Sequence, residues 1–331
     1  MMRKILLIAL ACMMVMSLVA CGGGEDADSA EPTKADEIVI TLQPTAGANE
    51  IYQLTQTNQI MSYMIKTKNN KLIMLDGGEK SDYKQIIALA KHLTGDEVPV
   101  IEAWYFSHSH SDHVNAFTEL MTAAKDALEI KKVYHHITTE EYMLKYEIGN
   151  RVSYRPFVKA LNKFDASGEK IVVVEEGQKF THDGIDVEVM LIPDETLEPL
   201  LSGIAINEAS VVYRMTIDGQ SVLFLGDIYE QSGSRLLQKY GDALKSDVVQ
   251  MAHHGSQGAQ KGVYVKIAPK VCLWPSPEFM WDPFNQKGGG STTFALETVE
   301  LHAYMTNTLH VETHIIAKDG MQKLTFPLDL T

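Results

Sequence analysis

Residues 108–113, HSHSDH, place three of the chain's 12 histidines in one short loop. The loop follows VPVIEAWYFS, a nearly continuous apolar run that is typical of a strand buried on both faces. Imidazole and carboxylate groups are the ligands that zinc and its first-row neighbours prefer. Because one loop cannot surround an ion, the motif requires a fold that brings distant parts of the chain to the end of this strand.

The order of side chains within the motif predicts how they are used. Alternate side chains of an extended segment point to opposite sides, so His108, His110 and Asp112 share one side and the serines face away. His113 joins the first group if the chain turns into a helix there. We therefore expect a cluster of three imidazoles and one carboxylate.

Three further residues are candidates because each lies where a predicted strand meets a loop. Asp227 ends SVLFLGD, His253 follows DVVQMA, and Asp76 ends LIMLD. In α/β folds, chemistry is concentrated at such strand ends. We expect Asp227 and His253 to reach the metal, and Asp76 to orient a ligand histidine from behind.

Short β-rich runs alternate with helical stretches along the body of the chain. The Asp-Gly pair at 218–219 predicts a tight hairpin, and residues 139–166 are predicted to form two helices separated at Pro156. Hairpins and βα units in one chain favour two sheets flanked by helices over a single doubly wound sheet. The predicted strands are 37–42, 60–67, 71–78, 98–108, 170–177, 185–192, 210–217, 221–227, 246–251, 270–274, 312–317 and 322–326.

Four motifs together, HSHSDH with DGG before it and LGD and HHGS after it, resemble the metallo-β-lactamase superfamily pattern. The segments NEASVVYRM, AHHGS and APKVCLWPS make the chain most similar to the hydrolase domain of ComEC-type competence proteins. The resemblance covers roughly residues 50–326. It implies an α/β (α+β) fold, a four-layer αββα sandwich of two mixed sheets with the metals at one edge.

The resemblance also implies a set of ligands. One metal is held by His108 and His110, the second by Asp112, His113 and His253, and Asp227 bridges both. Many members have another histidine in the stretch before Asp227, where this sequence offers Asn207 and Ser210. The expected cofactors are two divalent ions, Zn²⁺ or alternatively Mn²⁺, with Asp76, Asn207 and Ser210 behind the ligands.

The chemistry implied by the resemblance is hydrolysis of an ester or phosphodiester by a metal-bridged hydroxide. Asp227 and Asp112 are expected to serve the reaction, and His254 to donate to the developing oxyanion. A lactonase-type hydrolase is one alternative. The missing histidine favours another, a non-catalytic metal-binding lipoprotein that holds a ligand.

The first 37 residues are set apart from a single predicted metallo-hydrolase domain at 38–331. Residues 1–20 have the layout of a secretory signal peptide, a positive start followed by an apolar run. LVAC at 18–21 resembles the lipobox of bacterial lipoproteins, which implies that Cys21 is acylated and anchors the chain to the membrane outside the cytoplasm. Residues 22–37 are rich in Gly, Ser and acids, which predicts a flexible tether.

The formal net charge of −14 at pH 7 restricts the partners. An acidic surface disfavours loose binding of nucleic acid, although a local basic groove is compatible with it. A small-molecule or phosphodiester substrate is therefore the expected partner. The sequence leaves the oligomeric state open.

Overall fold

A computed structural model describes residues 38–55, 61–284 and 292–330 of the chain. The predicted signal peptide, Cys21 and the tether lie outside these residues. From Ile38 onward the described residues belong to one compact unit. No helix among them is long and apolar enough to cross a membrane.

The first sheet carries the strand that precedes the histidine motif. Its strands are β1 (Asn49–Gln53), β2 (Ser62–Lys66), β3 (Leu72–Asp76), β4 (Val100–Tyr105), β5 (Glu129–Ile130), β6 (Val133–His135), β7 (Ile171–Val173) and β15 (Gln322–Phe326). Their order is β15-β1-β2-β3-β4-β6-β7, and β5 also pairs with β4. Pairing is antiparallel from β15 to β3 and parallel from β3 onward.

The second sheet is built by the C-terminal half. Its strands are β8 (Lys179–His182), β9 (Ile185–Leu191), β10 (Val212–Ile217), β11 (Gln220–Phe224), β12 (Val248–Gln250), β13 (Val271–Trp274) and β14 (Thr313–Ile316), in the order β14-β13-β12-β11-β10-β9-β8. The predicted hairpin joins β10 to β11, with positive φ at both Asp218 and Gly219. Strands β11 to β14 are parallel.

Helices cover the outer face of each sheet. They are α1 (Tyr83–Thr94), α2 (Ser111–Ala123), α3 (Glu140–Tyr146), α4 (Arg151–Phe164), α5 (Ala205–Glu208), α6 (Glu230–Tyr240), α7 (Lys261–Ile267) and α8 (Thr292–Asn307). One apolar cluster joins the two sheets, a second joins the first sheet to α1, α2 and α4, and a third joins the second sheet to α6, α7 and α8. These layers confirm the predicted αββα sandwich.

Strand β3 shows why the central runs are continuously apolar. Ile73 and Leu75 face the cluster between the sheets, whereas Leu72 and Met74 face the helices, and all four are fully buried. Burial of each side chain contributes about 1.5–3 kcal/mol. The strand therefore holds Asp76, its last residue, in a fixed position at the edge of the core.

Two local predictions were wrong. Residues 38–42 of the strand predicted at 37–42 contain no strand, and the sheet begins instead at β1. Pro156 lies inside α4, and the break between α3 and α4 is at residues 147–150. The carbonyl that Pro156 leaves unpaired belongs to Val152, which is 74% exposed and so accessible to water.

Candidate metal centre

The histidine motif spans the end of β4 and the start of α2. The backbone is extended as far as His110, the N-cap residue of α2, whose φ and ψ are −71° and 157°. Asp112 and His113 then lie in the first helical turn. This turn returns His113 to the side of His108, with ring centroids 4.0 Å apart.

The other candidates reach the same place because parallel strands end there. Asp76 closes β3 beside β4 in the first sheet, and Asp227 and His254 follow β11 and β12 in the second. The carboxyl ends of adjacent parallel strands share one edge of a sheet. The site thus receives side chains from both sheets.

Asp112, His113, Asp227 and His254 form a compact group of candidate ligands. Each offers one ligand atom, and these atoms all lie within 4.8 Å of one another. Oδ2 of Asp227 lies 3.3 Å from Nε2 of His113, 3.5 Å from Nε2 of His254 and 3.9 Å from Nε2 of His108. Oδ2 of Asp112 lies 3.0 Å from Nε2 of His254. Asp227 therefore occupies the centre of the site.

Buried polar atoms without hydrogen-bond partners mark this centre. In the described part of the chain they include Nε2 of His108, His113 and His254, and Oδ1 of Asp227. All four side chains are at most 2% exposed. A buried polar atom left unpaired costs about 1–3 kcal/mol, so several converging atoms are costly unless a cation binds them. These residues fit a divalent metal ion.

Asp76 orients His113 from the side away from the centre. Nδ1 of His113 donates to Oδ2 of Asp76 at 2.9 Å. The backbone N–H and the hydroxyl of Ser107 donate to the same carboxylate at 2.8 and 2.7 Å. With its proton on Nδ1, His113 presents the lone pair of Nε2 to a metal, as the sequence analysis predicts for Asp76.

His108 and His254 are oriented through the same ring atom. Nδ1 of His254 donates to the carbonyl oxygen of Pro275 at 2.9 Å. Nδ1 of His108 lies 3.0 Å from the hydroxyl of Ser107. Ser107 thus faces the histidines, contrary to the expected alternation, because the extended segment bends at the end of β4.

His254, and not His253, points into the group. Residues 252–255 form a short 3₁₀ turn in which both histidines have positive φ, 48° and 58°. This left-handed pair rotates the side chains out of strand alternation. Nδ1 of His253 instead lies 2.6 Å from the carbonyl oxygen of Ser256 and 3.2 Å from the hydroxyl of Tyr229. The expected grouping is therefore corrected: His254, and not His253, lies with Asp112, His113 and Asp227.

The group attracts positive charge. Burial opposes protonation of His113, but Asp227, Asp112 and Asp76 raise its pKa well above the ordinary value. Against the same opposing effect of burial, Asp227 and Asp112 raise the pKa of His254 to about 10. Carboxylates that favour protons on two imidazoles also favour a metal cation in their place.

A family model described as the metallo-beta-lactamase superfamily matches residues 56–269, more than half of the 331-residue chain. The chain belongs to the metallo-beta-lactamase superfamily. Members of this superfamily are in general metal-dependent hydrolases with one or two divalent metals, which agrees with the cluster described above.

Similar proteins include competence protein ComA of Neisseria gonorrhoeae, 34% identical over 97 residues. The match covers 29% of this chain and 13% of ComA. CmlA of Streptomyces venezuelae, a diiron beta-hydroxylase, is similar in structure with a TM-score of 0.52 at 10% identity, over 85% of this chain and 55% of CmlA. YhfI of Bacillus subtilis, a metallo-beta-lactamase fold protein, has a TM-score of 0.48 at 11% identity, over 84% and 99% of the two chains. At 10% identity, the match to CmlA shows the fold alone.

Ser210, in the stretch before Asp227, contacts two site residues. Oγ of Ser210 accepts the N–H of Asp227 at 3.0 Å and lies 3.2 Å from Nδ1 of His108. Gly226 allows this close approach, because a Cβ atom there would lie 2.8 Å from Cβ of Ser210, and its φ is 59°. Ser210 therefore lies behind His108 and Asp227.

Asn207 lies on α5, near the site. It is 4% exposed, and its Oδ1 is among the buried atoms of the described chain that have no hydrogen-bond partner. Its backbone carbonyl accepts the N–H of Ser210. Asn207 thus closes the turn that leads into β10, and its side chain also remains available to a ligand.

His110 has a partner that sequence reasoning missed. Its Nε2 lies 2.7 Å from Oε1 of Glu147, a residue in the break between α3 and α4. The sequence does not indicate this contact, because Pro156 predicts the boundary between the two helices and Glu147 then lies inside a predicted helix. His108 and His110 remain adjacent, with ring centroids 4.8 Å apart.

Proposed function

We propose that the protein is a membrane-tethered hydrolase that uses two divalent ions to cleave an ester or phosphodiester outside the cytoplasm. The observation that carries the proposal is the convergence of unpaired, buried Nε2 and Oδ atoms from both sheets on one point. The expected ligand set, with His254 in the place of His253, would hold two ions around Asp227. Zn²⁺ is the proposed metal and Mn²⁺ the alternative.

Bound divalent ions would supply Lewis-acid activation of water and of the bond to be cleaved. The protein's own residues would hold and orient the ions. Asp227 lies between the two groups of histidines, Asp112 lies beside His254, and Asp76 keeps the proton of His113 on Nδ1. Because His113, Asp227 and His254 are buried, and hydrogen bonds through Nδ1 orient His113 and His254, these side chains are in place before substrate binds.

A cavity of about 520 Å³ supports a small substrate. Its wall includes the apolar side chains of Leu200, Leu201 and Ile204 and the carboxylates of Glu230 and Glu297. Tyr229, which follows Asp227 by two residues, lines the same cavity. Acidic groups repel a polyanion, so a compact ester or phosphodiester is favoured over nucleic acid.

The proposal is tested by metal content and turnover together. Purified protein supplied with Zn²⁺ or Mn²⁺ should retain metal through desalting and cleave a member of a panel of chromogenic phosphodiester, phosphonate, lactone and β-lactam substrates. Asp227→Asn should lose both metal and turnover, whereas the exposed control Asp126→Asn should keep both. Elemental analysis that finds no bound transition metal in the supplied protein would contradict the proposal.

One specific observation favours a second function, a metal-binding lipoprotein without turnover. The chain has no histidine where many members of the family supply a further ligand to the first ion, and Ser210 there faces the back of His108. Metal retained with no turnover on any substrate of the panel would support this alternative.

The proposed location depends on Cys21. In a bacterial host that acylates lipoproteins, the chain should take up labelled palmitate and sediment with the membranes. Cys21→Ser should abolish labelling and release the protein into the extracytoplasmic soluble fraction, whereas Cys12→Ser, within the predicted signal peptide, should change neither. Unaltered labelling of Cys21→Ser would contradict the proposed anchor.

A further inference from the structure

We propose that Glu147 completes the first metal site, in place of the histidine that this chain lacks. The inference rests on the proposed function, since it assigns a ligand to one of the two proposed ions. His108, His110 and a shared Asp227 would give the first ion three protein ligands, one fewer than a set that includes the additional histidine of many members. A further ligand from this chain on their side of Asp227 would replace the missing one.

The contact between Glu147 and His110 is at Nε2, an imidazole nitrogen that can bind a metal. Oε1 of Glu147 lies 2.7 Å from Nε2 of His110. In the absence of a cation, a hydrogen bond joins the two groups. A metal ion that replaces the shared proton would gain one imidazole and one carboxylate at the same point.

The backbone holds Glu147 in position. Its other carboxylate oxygen, Oε2, accepts the N–H of Ile206 at 3.0 Å, at the start of α5. The residue ends α3, with φ of −147°, and its side chain is 14% exposed. One oxygen is therefore anchored while the other faces His110, the arrangement that supporting hydrogen bonds give to ligand carboxylates.

Two other candidate side chains, of Ser210 and Asn207, are less suited to the role. Oγ of Ser210 is already engaged by the N–H of Asp227 and lies against Nδ1 of His108, on the far side of the ring from Nε2. Asn207 has a free Oδ1, but a neutral amide is a weaker ligand than a carboxylate for a divalent ion. Glu147 is both charged and in direct contact with His110.

The substitution Glu147→Gln distinguishes two roles of Glu147, that of a metal ligand and that of a residue that only orients His110. Glutamine keeps the shape and can still accept a hydrogen bond from His110, but it removes the anionic ligand. Glu141→Gln provides the matched control, because Glu141 is an exposed acid on α3 and its loss changes the net charge equally. Asn207→Ala tests the competing ligand.

The experiment is a metal titration of chelator-stripped full-length protein, in which Zn²⁺ or Mn²⁺ competes with a chromophoric chelator and bound equivalents are counted by elemental analysis. Wild type and Glu141→Gln should bind two equivalents. Glu147→Gln should keep the tighter equivalent and bind the other at least about 100-fold more weakly. Glu147→His, which restores an imidazole, should recover two equivalents with a greater preference for Zn²⁺ over Mn²⁺.

Two equivalents with unchanged affinity in Glu147→Gln would overturn the assignment while leaving the proposed hydrolase intact. Selective loss of an equivalent in Asn207→Ala but not in Glu147→Gln would overturn it as well. No metal in the wild type would instead reject the proposed function. Equal thermal unfolding of the stripped variants shows that any loss of metal does not come from misfolding.

Discussion

At the scale of single residues, His253 and His254 provide a matched pair for testing the ligand set. Both are buried, but Nε2 of His254 faces Asp112 and Asp227, while Nδ1 of His253 contacts the carbonyl of Ser256. We expect His254→Ala to weaken the tighter metal equivalent at least about 100-fold, because it removes a ligand. His253→Ala should retain that equivalent. Metal titration against a competing chelator measures both.

Cavity formation lowers stability in both variants, so thermal unfolding without metal serves as the control for folding. If His253→Ala lost the equivalent and His254→Ala retained it, the roles inferred from the geometry would be reversed. The sequence could predict the types and spacing of these ligands. It could not select between the neighbours, since that choice depends on two residues with positive φ in a turn that side-chain periodicity does not reveal.

At the scale of secondary structure, β1 is a strand that the hydrophobic pattern does not predict, because it contains a buried ion pair. Three of its five residues are polar, yet all five are buried. The carboxylate of Glu50 lies 3.5 Å from Nζ of Lys66 on β2 and also contacts Lys323 on β15. The local hydrophobic pattern does not predict such a strand. The counter-ions that stabilise buried Glu50 lie on other strands, which are distant in sequence. Strands with apolar runs, such as β4, could be predicted.

Glu50→Gln is expected to destabilise the fold by roughly 3 kcal/mol at neutral pH, because it leaves the buried Lys66 without its counter-ion. Chemical denaturation of metal-free protein measures the effect. Glu97→Gln is the control, since Glu97 pairs with Lys91 while fully exposed and an exposed pair contributes little. A loss no greater than that of Glu97→Gln would contradict a stabilising role for the ion pair.

The environment of Glu50 also predicts that the stability of the fold depends on pH. Burial opposes ionisation, but Lys323 and Tyr52 lower the pKa of Glu50 from 4.5 to about 2 in the folded protein. This stabilisation is present above the unfolded pKa and is lost as pH falls from about 4.5 towards 2. The difference in unfolding free energy between wild type and Glu50→Gln should therefore shrink over that interval. A difference that stays constant on acidification would contradict the assignment.

At the scale of the whole molecule, the mixture of hairpins and βα units was enough to predict two sheets flanked by helices. The order of strands was not accessible in the same way. β15 returns from the end of the chain to pair with β1, and β14 pairs with β13 in the other sheet. The first pairing joins Asn49 to Phe326, which are 277 positions apart, and the second joins Val271 to Thr313 across the whole of α8; local patterns encode neither. The metal motif supplies part of this missing information about strand order, because it requires the two sheets to meet where His113 and Asp227 lie.

Because its ligands come from both sheets, a bound cation should stabilise the whole fold. Asp112 and His113 follow the first sheet, and Asp227 and His254 follow strands of the second. A ligand that binds only the folded state at 1,000 times its Kd adds about 4 kcal/mol, which corresponds to a rise in Tm of roughly 6 °C for a domain of this size. Chelator treatment should lower the Tm of wild type by that amount and leave Asp227→Asn unchanged. An equal fall in both proteins would place the stabilising ion elsewhere, since the variant lacks the carboxylate that joins the two halves of the site.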